Sequence, residues 1–100
     1  MANDSDKENT DKSKDANKEK KVLAVEDDII VTFCELNGGM EFAMPIIRTQ
    51  FEKLNVDFKC PSKEELRQIT DKLVDITAKI QGEVTAKKER KVFNDLLSKI

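Results

Sequence analysis

The sequence predicts an all-α fold: a compact bundle of four amphipathic helices after a disordered N-terminal tail. Three observations predict it. Apolar residues recur at helical spacing in four stretches between residues 22 and 100. Turn-forming residues fall between those stretches, at Asn37-Gly38, around Pro61 and at Gly82. The first 21 residues hold almost nothing that could join a core.

Residues 1–21 read as a disordered charged tail. Lysines at 7, 12, 14, 18, 20 and 21 face acidic residues at 4, 6, 8, 11, 15 and 19, and from Ala2 to Lys21 the only apolar side chains are Ala2 and Ala16. Such a segment has too little to bury to offset the entropy of ordering its backbone. Residues 22–100 are then expected to form a single helical domain. A chain of that length buries roughly 60–65% of its unfolded surface, enough for one modest core but not for a deep pre-formed cleft as well.

Within the domain, Val22, Val25, Ile29, Phe33 and Leu36 make a helical stripe over 22–37, with Asn37-Gly38 as its C-cap. An alternative stands beside it. Ile29-Ile30-Val31-Thr32-Phe33 is a β-branched run, and Asn-Gly is a hairpin turn signal. That would give an α+β fold, with a β-hairpin at 29–44 (strands 29–36 and 40–44) packed on two or three helices. The helix is preferred because the stripe runs back to Val22, strict alternation fails at Ile29-Ile30, and an isolated hairpin is marginal.

The second helix, 41–54, follows from Phe42, Ala43, Ile46, Ile47, Phe51 and Leu54, with Pro45 tolerated in a first turn. Residues 55–60 form a loop in which Val56 and Phe58 tuck down as lids. The third helix, 62–81, has the clearest start. Ser62-Lys63-Glu64-Glu65 is a capping box, with Pro61 and Leu66 placed as a staple. Leu66, Ile69, Leu73, Ile76 and Ile80 follow at spacings of 3, 4, 3 and 4, and Gly82 ends the helix. The last helix, 85–99, is expected to be capped by Thr85 and to bury Val92, Phe93, Leu96, Leu97 and Ile100. The short link at Gly82 makes the last two helices an antiparallel hairpin.

The composition argues against an ordinary enzyme. There is no His, so the usual neutral-pH base and the commonest metal ligand are missing. Gly38-Gly39 has no following Lys-Ser or Lys-Thr, so no phosphate loop is present. No cofactor or metal is expected. Cys34 and Cys60 lack the further ligands of a zinc site. Cys34 reads as an inert buried thiol and Cys60 as a thiol just before a helix N-terminus; a disulfide between them cannot be decided from spacing. Glu26-Asp27-Asp28 reads as a solvated acidic turn, because consecutive helical carboxylates point in different directions.

The N-terminus is polar where a secretory signal is apolar, and no apolar run reaches the roughly 18 residues of a membrane span. With two cysteines, that favours a cytoplasmic protein.

Charge is nearly balanced, at −2, but unevenly placed. Residues 22–47 carry Glu26, Asp27, Asp28, Glu35 and Glu41 with no Lys or Arg, whereas Lys87, Lys88, Arg90 and Lys91 form a basic patch early in the last helix. No aromatic residues interleave with that patch to stack bases, so the nucleic-acid signal is weak.

In helix count and size this arrangement resembles the saposin-like leaf, four amphipathic helices that open around lipid. The resemblance is architectural, since the six-cysteine framework of that family is reduced here to Cys34 and Cys60.

The expected function is a small non-catalytic interaction module. Phe33, Phe42, Met44, Phe51 and Phe58 are many large groups for one half of a small domain, and surplus apolar surface marks partner sites. They are the candidate lining of a helix-bounded groove for a protein partner, with homodimerisation as one form of it. The alternatives are a lipid or apolar ligand held between helices, and nucleic acid bound through the basic patch.

Overall fold

A computed structural model describes residues 20–100, and within them the chain forms four helices and no strand. Helix α1 covers 20–36, α2 Met40–Lys53, α3 Lys63–Gln81 and α4 Glu83–Leu97. The expected disordered tail, 1–21, lies outside the described residues as far as 19; its last two residues, Lys20 and Lys21, are already helical, so α1 starts two residues earlier than the apolar stripe marked.

The hairpin alternative at 29–44 is absent, because α1 runs unbroken through Ile29–Phe33. Its inward side buries Val25, Ile29, Ile30, Phe33 and Cys34, a stripe that a strand of the same sequence would split between two faces. The helix stops where Asn37 and Gly39 both donate their backbone N–H to the Cys34 carbonyl, at 3.2 and 2.8 Å. Gly38 and Gly39 have φ of 93° and 94°, values that a side chain makes costly.

Helix α2 begins directly after these glycines. Pro45 is its sixth residue, in the second turn and not the first as expected, so the Glu41 carbonyl loses one intrahelical donor at an exposed turn. After Asn55, at φ 56°, the loop folds back: Val56 is buried, and Phe58 stacks on Phe51 with ring centroids 4.5 Å apart. The two lids therefore sit as the alternation predicted.

Helix α3 starts with the predicted capping box. Glu65 N–H donates to Ser62 Oγ at 3.1 Å, and Ser62 N–H donates to Glu65 Oε1 at 2.9 Å. Gly82 then serves two helices as the C-cap of α3 and the N-cap of α4. Thr85 is therefore inside α4 and caps nothing, because the glycine turns the chain in one residue.

The helices run up, down, up, down. At one end, the base, Lys63 Nζ donates to the Ile100 carbonyl at 2.6 Å, and Val22 lies beside both residues. At the other end, the tip, Asn37 of the α1 terminus meets Thr77 of α3. The core between them is built from Ile29, Phe33, Ile47, Phe51, Leu66, Ile69, Leu73, Phe93 and Leu97. Ile80 and Val92, expected on buried faces, are exposed. Ile80 lies beyond the last turn of α1, and Val92 sits at the margin of the α4 stripe.

Candidate interaction surfaces

The five residues expected to line a groove do not come together as one. Phe33 and Phe51 are 0% and 3% exposed and belong to the core, so neither is available to a partner. Phe58 covers Phe51, and Met44 is half-buried against the same cluster. The reason is geometric: α1, α2 and the 55–60 loop close over one another and use these side chains to fill their shared interior. Only Phe42 is open, at 57% exposure.

Phe42 has company at the tip. Met40, the first residue of α2, is equally exposed, and Ile80 of α3 is 46% exposed at the same end. Local structure fixes this. The two positive-φ glycines end α1 and start α2 with no side-chain cap, and the first turn of α2 then buries Ala43 while Met40 and Phe42 stand in solvent. Phe42 lies across Gly38, where an added Cβ would come within 3.4 Å of its ring. Met40, Phe42 and Ile80 thus present apolar surface where the helices end, a place the stripe pattern alone did not mark.

The basic patch lies in the first half of α4. Lys87, Lys88, Arg90 and Lys91 are all exposed. Arg90 is turned toward α3, where it donates to Asp71 Oδ1 at 3.0 Å. It shares with Lys87, Val74 and Asp75 a shallow groove of about 190 Å³ between α3 and α4. A larger cleft of about 380 Å³ lies at the base, between Val22 and Ile100 and ringed by Lys21, Lys63 and Lys99.

Two buried carboxylates were not anticipated. Glu26 and Glu89 are 3% and 1% exposed. Glu89 belongs to a polar chain through the core near the tip. Asn37 Nδ2 donates to the Phe33 carbonyl at 2.9 Å and to Thr77 Oγ1 at 3.0 Å, and Thr77 Oγ1 donates to Glu89 Oε2 at 3.0 Å. Among the described residues, Glu89 Oε1, Asn37 Oδ1 and Glu26 Oε2 have no hydrogen-bond partner.

Burial raises both carboxyls to about 7 from the ordinary 4.5. For Glu26 the charges of Asp27 and Asp57 add to the effect; for Glu89 the Thr77 hydrogen bond opposes it. The reading of Glu26-Asp27-Asp28 as one solvated turn is therefore corrected: Asp27 and Asp28 face out and Glu26 faces in. The signal was present in the sequence. Glu26 is one turn before Ile30, and Glu89 lies three residues after Ala86 and four before Phe93, on the buried stripe of α4.

Both cysteines are free, Cys34 buried and Cys60 exposed, and burial pushes the Cys34 thiol upward. Among the described residues no three His, Cys, Asp or Glu side chains are grouped to hold a metal ion, and no helix is long and apolar enough to cross a membrane. No family model, curated protein or solved structure matches the chain.

Proposed function

We propose that this domain is a non-catalytic interaction module that docks a segment of a partner protein at the tip of the bundle. The observation that carries the reading is the exposure of Met40, Phe42 and Ile80 at one end, in a domain whose other large aromatic side chains are buried or packed. Water-exposed Met and Phe side chains gain roughly 25 cal/mol for each Å² of apolar surface that a partner covers. A thioether chain and a phenyl ring also adapt to varied apolar partners.

The test places a photo-crosslinking residue at Phe42 or, as a control, at the exposed Lys72 in the full chain. A discrete protein adduct from position 42 and none from position 72 is expected. Equal labelling from both positions, or none from position 42, would remove the tip as the docking site.

A second reading is favoured by the base cleft. Val22 and Ile100 offer an apolar wall, and Lys21, Lys63 and Lys99 ring it with positive charge. That chemistry suits an anionic amphiphile. Long-chain fatty acid added to the protein would shift the amide signals of Val22 and Lys99 under this reading, and leave Phe42 unmoved.

A further inference from the structure

We propose that the outer face of α1 in one molecule docks on the outer face of α4 in a second copy of this chain. On α1, Ala24, Asp27, Asp28, Val31 and Glu35 follow at steps of 3, 1, 3 and 4, which places them on one side of the helix. All five are exposed, Val31 to 44%. On α4, Val84, Lys87, Lys88, Lys91 and Val92 lie on the side turned from the core and are also exposed, the two valines to 70% and 42%. Neither face is needed by the fold. The opposite sides of the same helices bury Val25, Ile29 and Phe33 of α1, and Ala86, Phe93 and Leu97 of α4.

The charges on both faces are unspent. Arg90 is engaged with Asp71, but Lys87, Lys88 and Lys91 form no ion pair among the described residues, and neither do Asp27, Asp28 and Glu35. Over 24–35 the α1 face sets valine beside carboxylates, and over 84–92 the α4 face sets valines beside lysines, so these stretches are opposite in sign; Lys20 and Lys21 before the first and Asp95 after the second bound the matched region. An isolated charged face is content in water. Two complementary faces on one chain mean that every copy carries both halves of a matched contact. Opposite potentials steer the encounter and set its register, while like charges disfavour α1 on α1 and α4 on α4. The valines supply the surface that leaves water on contact. With so few residues a side, the contact is expected to be transient and sensitive to salt.

Glu35 and Val84 bring the two faces up to the tip, but Met40, Phe42 and Ile80 belong to α2 and α3 and lie on neither, so the two proposals rest on different residues and fail separately. The test is sedimentation of the full chain in about 0.02 M and about 0.5 M salt, which moves the screening length from well above to well below the reach of these charges. A mass above the monomer is expected at low salt, returning to monomer at high salt. Lys88→Glu with Lys91→Glu, and separately Asp27→Lys with Asp28→Lys, should each weaken association about tenfold or more. The first variant has two acidic faces and the second two basic ones, so mixing them should restore association between unlike chains. Phe42→Ser should leave the mass unchanged. All the substituted residues are exposed, and thermal melts of the variants check that the fold is kept.

A wild-type chain that stays monomeric up to about 1 mM at low salt would overturn the proposal, since that excludes even millimolar affinity. So would variants that associate as well as wild type, or a mixture that stays monomeric. A monomer that instead needs Lys88 and Lys91 to retard a short DNA duplex would assign the α4 face to nucleic acid and also overturn it.

Discussion

At Leu73 the bundle is held by hydrocarbon; one turn along the same helix, at Thr77, it is held by a chain of hydrogen bonds. Leu73 is fully buried among apolar groups of the core. Thr77 is as deeply buried, but it accepts from Asn37 and donates to Glu89. Apolar contact is strong in sum and indifferent to direction, so it stabilises the bundle without dictating which residue faces which. Hydrogen bonds are directional, and they join α1, α3 and α4 at named atoms. Their cost is desolvation, visible in the raised carboxyl of Glu89 and in the oxygens left without partners. The comparison teaches a division of labour: one layer supplies stability, and the next supplies alignment together with sensitivity to protons.

The largest expected effect tests the apolar layer. Leu73→Ala should cost about 2–5 kcal/mol, the lost transfer energy plus the cavity left in a packed site. Small domains are stable by only about 5 kcal/mol, so the variant should be partly unfolded in a thermal melt. A loss below about 1 kcal/mol would mean that the interior collapses around the gap, and the two layers would differ less than described.

Next comes the polar layer. A carboxyl at about 7 in the folded chain and 4.5 in the unfolded one keeps its proton on folding when the unfolded chain has lost it. Between those values the folded state binds more protons, so stability must fall as pH rises from about 4.5 to about 7 and level off above that. Each group contributes at most roughly 3 kcal/mol across the window. Denaturant melts at pH 5 and pH 8 should show the loss. Glu89→Gln should remove its share, leaving the variant nearer wild type at pH 5 and more stable than wild type at pH 8. Identical pH dependence in variant and wild type would show that Glu89 ionises without hindrance.

Ser62→Ala should cost roughly 0.5–2 kcal/mol, because it orphans the Glu65 N–H at the start of α3. This change touches neither layer, and a two-state melt with an unchanged denaturant slope would confirm that. Lys72→Ala, one residue before Leu73 but exposed, should shift stability by less than about 0.5 kcal/mol. If it were as damaging as Leu73→Ala, the α3 stripe would not be the buried face.

The start of α3 was legible because its signal is local. Ser62 and Glu65 contact each other across three residues, and nothing distant can alter that chemistry. The turn at Gly82 and the lids at Val56 and Phe58 were legible for the same reason. The candidate groove was not. Periodicity told which side of its helix Phe33 or Phe51 occupies, but whether a neighbour covers that side depends on how far the helices overlap.

Ile80 shows the same limit from the other direction: it continues the stripe of Leu73 and Ile76 but outruns the end of α1. Residue type suggests a solvated turn for Glu26, whereas its position, one turn before Ile30, matches the buried stripe; Glu89 lies on the buried stripe of α4 in the same way. Position prevails because a protonated carboxyl costs far less to bury than an ionised one.

The single residue between α3 and α4 also bears on the order in which the molecule assembles. Gly82 closes the hairpin with almost no loop, so the chain entropy lost in bringing α3 and α4 together is small. Asn37 and Thr77 are 40 positions apart, and their meeting must wait for a much longer closure. The hairpin is therefore the expected kinetic nucleus, with α1 docking afterwards. In stopped-flow experiments Val74→Ala, where α3 faces α4, should slow folding, while Asn37→Ala should chiefly speed unfolding. A chain that assembles in this order carries the proton-sensitive Glu89 on its first-formed element and the amide that reaches toward it on its last. Acidity during refolding should thus govern the final docking step more than the initial collapse.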